Sequence, residues 1–309
     1  MTAPDVVWVR PPGRVPAESR WGHARGLQIG LPPLPGPRGL IRVFAPYLGH
    51  PSDRLVNFVA IEPTPSGATE RGLSELEWSE LDNLRGKRFW SLDGPPTGAP
   101  GDPSSPAGGV LDEIDGVQRL TVHIGCERFA NGSDVYVRAR FVADRPYEVA
   151  LAAFRRETSV PLDRLTLTAT MGNYARLRHL HLADRVVASG ELWPGFHGDG
   201  FTAHARFGLP ELARAGGAAV VTATPDEAAP EAATYAEGTR AHWKYTGRRA
   251  VQGWRCDDPR PGLEALANGR ACYWASTSPI PGGVSFENFE FAEPFRQGQE
   301  YVFSVAPLD

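Results

Sequence analysis

VQRLTVHIGCERFANGSDVYVRARFVA, residues 117–143, predicts two β-strands joined by a turn. Small or apolar residues occupy every second position from Val135 to Phe141, a period of two that is typical of a strand with one buried face. The dipeptide Asn131–Gly132 separates the two runs and favours a chain reversal, because both residue types tolerate positive φ. The stretch therefore predicts an antiparallel hairpin.

Further runs of the same kind lie on both sides of this hairpin. They are rich in β-branched and aliphatic residues and are bounded by Gly, Pro, Asn and Asp. The clearest are GLIRVFAPYL (39–48), LVNFVAIEP (55–63), PYEVALAAF (146–154) and DRLTLTATMGNYARLRHLHLADRVVAS (163–189). Many short strands at this spacing predict an all-β chain, a concanavalin-like or jelly-roll β-sandwich with long surface loops.

The segment GPPTGAPGDPSSPAGG, residues 94–109, contains no residue that can anchor a core. We interpret it as a flexible excursion from one large β-sandwich domain that spans residues 1–309. The alternative is a linker between a small β domain, residues 1–93, and a sandwich of residues 110–309.

Composition limits the classes of protein to which the chain can belong. It has 309 residues, of which 41% are hydrophobic and 22% charged, with a formal net charge of -4. Its lysines are Lys87 and Lys244 alone, and no basic run is present, so nucleic acid is not an expected partner. No apolar stretch has the length of a membrane span, so no membrane partner is expected.

Cysteine usage and the first residues indicate the compartment. Cys126, Cys256 and Cys272 have no C-x-x-C spacing and cannot all pair, which favours reduced thiols. The opening residues MTAPDVVWVRPPGR lack a charged segment followed by an apolar core, as a secretory signal would have. We therefore expect a cytoplasmic protein.

The strongest candidate for a catalytic site is RGLSELEWSELDNLRGKRFW, residues 71–90. Read as a strand, it puts Glu75 and Glu77 on one face, and a one-residue bulge would return Glu80 to the same side. Trp78 and Trp90 flank these acids and are candidate sugar-binding side chains. The structural alternative is a solvated amphipathic segment with a helical turn from Leu73 to Leu84.

The pattern Glu-x-Glu-x-x-Glu resembles the Glu-x-Asp-x-x-Glu strand of family-16-like glycoside hydrolases, which are concanavalin A-like β-sandwiches. The resemblance implies that Glu75 is the nucleophile, Glu77 its electrostatic helper and Glu80 the general acid. Glu77 stands where that family has aspartate, a longer side chain in the middle of the set. The implied function is cleavage of a glycosidic bond in an oligosaccharide or glycoside.

A second candidate site lies on the run from Asn173 to His181. Tyr174, Arg176 and Arg178 share one strand face there, next to Asn173. An arginine that neutralises a carboxylate, with a Tyr or His base, is what β-elimination on a uronic acid requires. A sugar lyase is therefore the second hypothesis, and a sheet face of solvated arginines is its structural alternative.

Four histidines, His179, His181, His197 and His204, fall close together with Asp199 and suggest a metal-assisted variant of that second site. His179 and His181 share a strand face, and Asp199 or His204 could supply a third ligand from a later loop. The set lacks a well-spaced fourth ligand. We predict no cofactor, with a divalent metal ion as the alternative.

Aromatic residues gather near the end of the chain, where Trp243 and Trp274 are candidate stacking platforms for sugar rings. Core packing is the alternative for each of them. A non-catalytic glycan-binding β-sandwich is therefore the third hypothesis. Across all three hypotheses the expected partner is a carbohydrate, and the candidate substrate-binding residues are Trp78, Trp90, Asn173, Tyr174, Arg176, His179, His181, Trp243 and Trp274.

Overall fold

The structure, a computed structural model, describes residues 7–11, 19–34, 36–49 and 55–308. Within these residues the α-helical structure is a single short helix, α1 (Ser189–Leu192), accompanied by short 3-10 turns. The remaining regular structure is β-strand, arranged in two antiparallel sheets of nine and eleven strands. The prediction of an all-β chain built from large sheets, as a β-sandwich requires, is confirmed. Its concanavalin-like or jelly-roll form stays a prediction.

The chain divides into two compact units, and each is described by itself. The first unit comprises Met1–Phe44, Val59–Leu167 and Pro294–Val302, and the second comprises Ala45–Phe58, Thr168–Glu293 and Phe303–Asp309.

The first unit contains the strands of the N-terminal half of the chain. They are β1 (Trp8–Val9), β2 (Arg20–His23), β3 (Gln28–Gly30), β4 (Leu40–Phe44), β5 (Leu55–Pro65), β6 (Phe89–Leu92), β7 (Val110–Ile114), β8 (Val117–Cys126), β9 (Val135–Val142), β10 (Glu148–Arg155) and β11 (Leu162–Ala169). Neighbouring strands follow the orders β1-β2-β3-β4-β5 and β10-β9-β8-β6, and β7 pairs with β8. The unit boundaries fall within β5 and β11.

The hairpin predicted over residues 117–143 is confirmed as β8 and β9, which pair antiparallel with Ile124 opposite Val137. Alternate residues of β9 are buried, as the period of two predicted. The connection is longer than a two-residue turn: it covers residues 127–134, where the Gly132 amide donates to the Phe129 carbonyl at 3.0 Å. This longer loop contributes backbone groups to the candidate site described below.

The proline- and glycine-rich segment 94–109 lies in the first unit and has no strand. It is attached near its C-terminal end, since the Ala107 amide donates to Ser91 Oγ at 2.9 Å and the Ala107 carbonyl accepts from Trp21 Nε1 at 2.9 Å. The Gly109 amide donates to Asp93 Oδ1 at 2.8 Å. These contacts hold the end of the excursion, while its flexibility and the number of domains stay predictions.

The second unit contains the remaining strands and the short helix α1. The strands are β12 (Leu177–His181), β13 (Val186–Ala188), β14 (Ala205–Gly208), β15 (Ala213–Ala215), β16 (Ala218–Pro225), β17 (Ala250–Cys256), β18 (Glu264–Arg270), β19 (Ser285–Ala292) and β20 (Gln299–Pro307), the last of which contains a unit boundary. Neighbours follow the orders β13-β12-β16-β17 and β19-β18-β14, and β15 pairs with β16. Buried Trp254 donates from Nε1 to the Phe289 carbonyl at 2.9 Å, which ties two of these strands through the core.

Two general properties bear on the sequence predictions. In the part of the chain that the structure describes, every helix is too short or too polar to cross a membrane. Cys126, Cys256 and Cys272 are not joined in disulfides, and the first two are buried.

Candidate functional site

The acidic stretch does not form the predicted strand. Residues 71–88 consist of turns and irregular backbone with one isolated β-bridge, between Trp78 and Arg85, before β6 starts at Phe89. The alternative helical turn from Leu73 to Leu84 is not a helix either. The reason is that side chains of the segment bind its own and nearby backbone groups, which competes with a regular ladder.

Ser74 fixes the start of this segment against β5. It is fully buried, and its hydroxyl donates to the Gly39 carbonyl at 2.6 Å and accepts from the Ile61 amide at 2.9 Å. The Gly72 amide donates to the Pro63 carbonyl at 2.8 Å, so residues 72–74 run beside the end of β5. This brings the residue after Ser74 close to a carboxylate of β5.

That residue is Glu75, and the carboxylate is Glu62. Glu62 is buried and accepts a hydrogen bond from Arg71 at 2.6 Å, a charge-assisted contact that favours its ionised form. Burial, and secondly the negative charge of Glu62, raise the pKa of Glu75 to about 7, against an opposing effect of Arg85. Near neutral pH, Glu75 is therefore partly protonated, unlike an ordinary glutamate.

The sequence prediction missed Glu62 because it stands in the apolar run 55–63, which was interpreted only as a strand. A signal was present: a single acid in an otherwise apolar strand is rarely buried without a partner. The partner, Arg71, lies at the beginning of the acidic stretch itself.

Glu77 has a different position from Glu75. Its carboxylate accepts from the Leu73 amide at 3.2 Å and the Ala130 amide at 2.9 Å, and it lies 3.3 Å from Lys87 Nζ. Lys87 is almost completely buried and also donates to the Trp78 carbonyl at 3.1 Å. Glu77 therefore joins the acidic segment to the β8–β9 loop and compensates a buried positive charge.

Glu80 lies at an exposed turn. Its backbone amide donates to Glu127 Oε1 at 2.5 Å, and Glu127 Oε2 accepts from the Arg88 amide at 3.1 Å. The predicted triple of acids on one strand face is therefore wrong in its geometry: the strand is absent, and the carboxylate that acts on Glu75 is Glu62.

The two tryptophans of the stretch also separate. The Trp78 side chain is 61% exposed, whereas Trp90 is 2% exposed. A Cβ added at Gly101 or Gly125 would lie 2.4 or 2.3 Å from the Trp90 side chain, so both glycines are needed for its packing. Trp90 belongs to the core, which corrects the expectation that it contacts a sugar, and Trp78 remains available on the surface.

In the second unit, Tyr174, Arg176 and Arg178 do not share a strand face, because β12 begins only at Leu177. Residues 172–176 form turns, and Arg176 has a φ of 50°, which reverses the direction of the chain before the strand. Asn173 is fully buried and Tyr174 is 4% exposed, so both side chains are buried.

Both arginines of this run already have acidic partners. Arg176 lies 2.9 Å from Glu227, and Arg178 pairs with Asp226. Arg178 also donates to the Gly283 carbonyl at 3.0 Å. Because a guanidinium that is already paired cannot neutralise a uronate without losing that pair, the geometry does not favour β-elimination here.

Two histidines of the alternative metal set, His181 and His204, contact different side chains. His181 Nε2 lies 2.8 Å from Thr224 Oγ1 across the β12–β16 pair, and burial, followed by the charge of His179, lowers the pKa of His181. His204 Nε2 lies 3.3 Å from Asn268 Nδ2. Among the described residues, no group of three or more His, Cys, Asp or Glu side chains could hold a metal ion.

The aromatic residues near the chain end include one stacked pair. Trp243 and Tyr273 have ring centroids 5.5 Å apart and an interplanar angle of 3°. Tyr273 is fully buried and covers one face of the half-buried Trp243 ring. Trp274 is half-buried as well, so both predicted platforms keep partial access to solvent.

Comparison with known proteins identifies no family. No family model matches the sequence, and no curated protein matches it. A solved structure entitled "Crystal Structure Analysis of HI1317" aligns with 97% of this chain and 98% of its own, at 9% sequence identity and a TM-score of 0.23. At that TM-score the likeness carries no structural argument.

Proposed function

We propose that this protein is a carbohydrate-active enzyme that cleaves a glycosidic bond, with Glu75 as the general acid and Glu62 as the ionised carboxylate. The proposal includes a concanavalin-like or jelly-roll form of the β-sandwich. The observation that carries it is the carboxyl pair itself: Glu62 held by Arg71 at 2.6 Å, with Glu75 brought beside it by the buried Ser74.

Glycoside hydrolysis requires one protonated and one ionised carboxyl group at the same time. A general acid works best when its pKa lies near the operating pH, because it is then protonated often enough and still releases its proton readily. Two carboxyl groups whose environments separate their proton affinities meet both needs. Burial and Glu62 give Glu75 this property, and Arg71 keeps Glu62 charged.

These roles differ from those implied by the family-16-like pattern, in which the first glutamate is the nucleophile. A carboxyl group that holds its proton near neutral pH is a poor nucleophile and a good proton donor. Glu77 is engaged by two backbone amides and Lys87, and Glu80 lies at an exposed turn. Neither makes a contact that supports the acid or helper role.

An exposed aromatic ring in the same segment supports the proposal of a carbohydrate substrate. Trp78 is 61% exposed and forms a bridge with Arg85, whose charge acts on Glu75. A flat aromatic ring that remains in solvent, in the same segment as Glu75, is suited to stack against the apolar face of a sugar ring. The lyase alternative has less support, since Arg176 and Arg178 have acidic partners of their own.

The test is hydrolysis of a panel of nitrophenyl glycosides by the wild type, Glu75→Gln and Glu80→Gln. We expect Glu75→Gln to reduce kcat/KM by about 100- to 10,000-fold on any glycoside that the wild type cleaves, the usual contribution of a general acid. The loss should shrink as the leaving group becomes better, because a good leaving group departs without a proton.

Glu80→Gln is the matched control, since it makes the same chemical change at an exposed position of the same segment. A large loss in Glu80→Gln with near-wild-type activity in Glu75→Gln would support the family-16-like roles and overturn the assignment made here. Absence of hydrolysis across the panel would overturn glycoside cleavage itself.

A further inference from the structure

The second unit contains a cavity of about 670 Å³ that takes no part in the proposed acid–base pair. This volume is within the range of small-molecule sites in proteins. Its lining is polar and comes from four places in the chain: Asp199, residues 238 and 240, Arg270, and residues 275–278.

Two guanidinium groups dominate the charge of this cavity. Arg270 is 6% exposed and donates to the carbonyls of Cys272 at 3.1 Å and Asp199 at 2.7 Å. Arg240 is exposed at the lining. Within the described residues, neither arginine forms an ion pair with an acidic side chain, in contrast to Arg176 and Arg178 of the same unit.

Arg270 Cζ also lies 5.0 Å from the centroid of the Phe201 ring, so its partners among the described residues are two carbonyls and an aromatic face. A positive charge that is almost buried and has only neutral partners is costly, and an anionic ligand would compensate it. Arginine suits this purpose because its planar fork binds carboxylate or phosphate through two parallel hydrogen bonds. The lining contains two arginines and one aspartate, Asp199, which leaves one excess positive charge. A ligand with a single negative charge would balance that excess.

The loop that supplies the rest of the lining is braced at its base. Cys272 and Pro279 form an isolated bridge, the Tyr273 amide donates to the Ser278 carbonyl at 3.0 Å, and the Ser278 amide donates to Ser276 Oγ at 2.8 Å. Ala275 has a φ of 52°, which turns the chain at the tip. The hydroxyls of residues 276–278 are therefore held in one region of the cavity wall.

We propose that this cavity binds a small anionic sugar, with Arg240 and Arg270 on its carboxylate or phosphate and the 276–278 hydroxyls on its ring hydroxyls. Asp199 accepts hydrogen bonds from further ring hydroxyls and disfavours anions that lack them. Glu75 is not among the lining residues, so the proposal does not depend on the proposed reaction.

Isothermal titration calorimetry of the full chain with D-glucuronate, glucose 6-phosphate and neutral glucose tests this proposal. We expect saturable binding of at least one of the two charged sugars and at least tenfold weaker binding of glucose. Stronger binding of glucuronate identifies a carboxylate site, and stronger binding of glucose 6-phosphate identifies a phosphate site. Glu75→Gln should bind the charged sugar as the wild type does.

Arg240→Gln should weaken binding of the charged sugar about tenfold or more, because it removes a charge-assisted contact that this exposed side chain would make with the ligand. Arg260→Gln is the matched control: Arg260 is an exposed arginine of the same unit, 3.2 Å from Asp258 and outside the lining. Any one of four results would overturn the proposal. In the wild type, these are equal binding of glucose and the charged sugars, or no binding of either charged sugar. In the variants, they are wild-type affinity in Arg240→Gln, or a loss of affinity in Arg260→Gln as large as that in Arg240→Gln.

Discussion

Glu62 and Glu75 are two carboxyl groups brought together by the turn around Ser74, and the negative charge of Glu62 contributes to a pKa of about 7 at Glu75. Glu62 itself is held by Arg71. The relationship is asymmetric, because one acid has a cationic partner within hydrogen-bond distance and the other has a carboxylate near it.

Glu62→Gln should lower the pKa of Glu75 from about 7, while leaving it above the ordinary value of 4.5, because burial is the larger cause of the shift. Carbon-13 NMR titration of the glutamate side chains measures this directly. Glu113→Gln, at an exposed position of β7, is the control and should leave Glu75 unchanged. A Glu75 titration that is the same in Glu62→Gln and wild type would show that the two carboxyl groups do not interact.

Stability should depend on pH through Glu75. Its pKa is higher in the folded chain, about 7, than the ordinary 4.5, so the folded state binds the proton more tightly. The stability that this proton adds is fully present below about pH 4.5 and is lost as the pH rises through about 7. Between pH 4.5 and 8, the free energy of unfolding of the wild type should fall relative to Glu75→Gln by about 2 kcal/mol, a figure reduced for partial solvent exposure. Urea unfolding of both proteins at several pH values measures the difference, and parallel pH profiles would contradict it.

Glu77→Gln should destabilise the protein more than it affects chemistry. Glu77 compensates the buried Lys87 at 3.3 Å and accepts from two backbone amides, so its neutralisation leaves a buried charge poorly compensated. We expect a loss of about 2–4 kcal/mol in the free energy of unfolding. The double variant Glu77→Gln/Lys87→Met should recover part of this loss, as measured by chemical denaturation. A fully stable Glu77→Gln with strongly reduced kcat would instead support the helper role implied by the family-16-like pattern.

Trp78→Ala should weaken substrate binding without loss of stability. The ring is 61% exposed, so its removal leaves no cavity in the core, whereas a stacking contact is worth about 0.5–1.5 kcal/mol. KM for a cleaved glycoside should rise about two- to tenfold, with Tm unchanged. Leu84→Ala removes another exposed apolar side chain of the same loop and is the control. Equal effects of both substitutions on KM would remove the case for a sugar platform at Trp78.

Local periodicity predicted the strands well where the side chains simply alternate between a buried and an exposed face of a sheet. The β8–β9 hairpin follows directly from alternation in residues 117–143. The same reasoning failed for residues 71–88, because Ser74 and Glu77 bind backbone groups that a strand would have used in its ladder. Alternation of apolar and polar residues indicates which side chains are buried. It does not indicate which side chains form hydrogen bonds with backbone groups.

The amino-acid sequence by itself determined that the chain is all-β, that its cysteines lack the spacing of a metal site, and that its acids concentrate around Glu75. Only the tertiary structure decided which carboxyl group acts on Glu75, which tryptophan stays in solvent, and which of the described arginines are paired with acidic side chains. The physical reason is that strand formation depends on neighbours two residues apart, whereas proton affinity and exposure depend on groups that folding brings together from distant parts of the sequence.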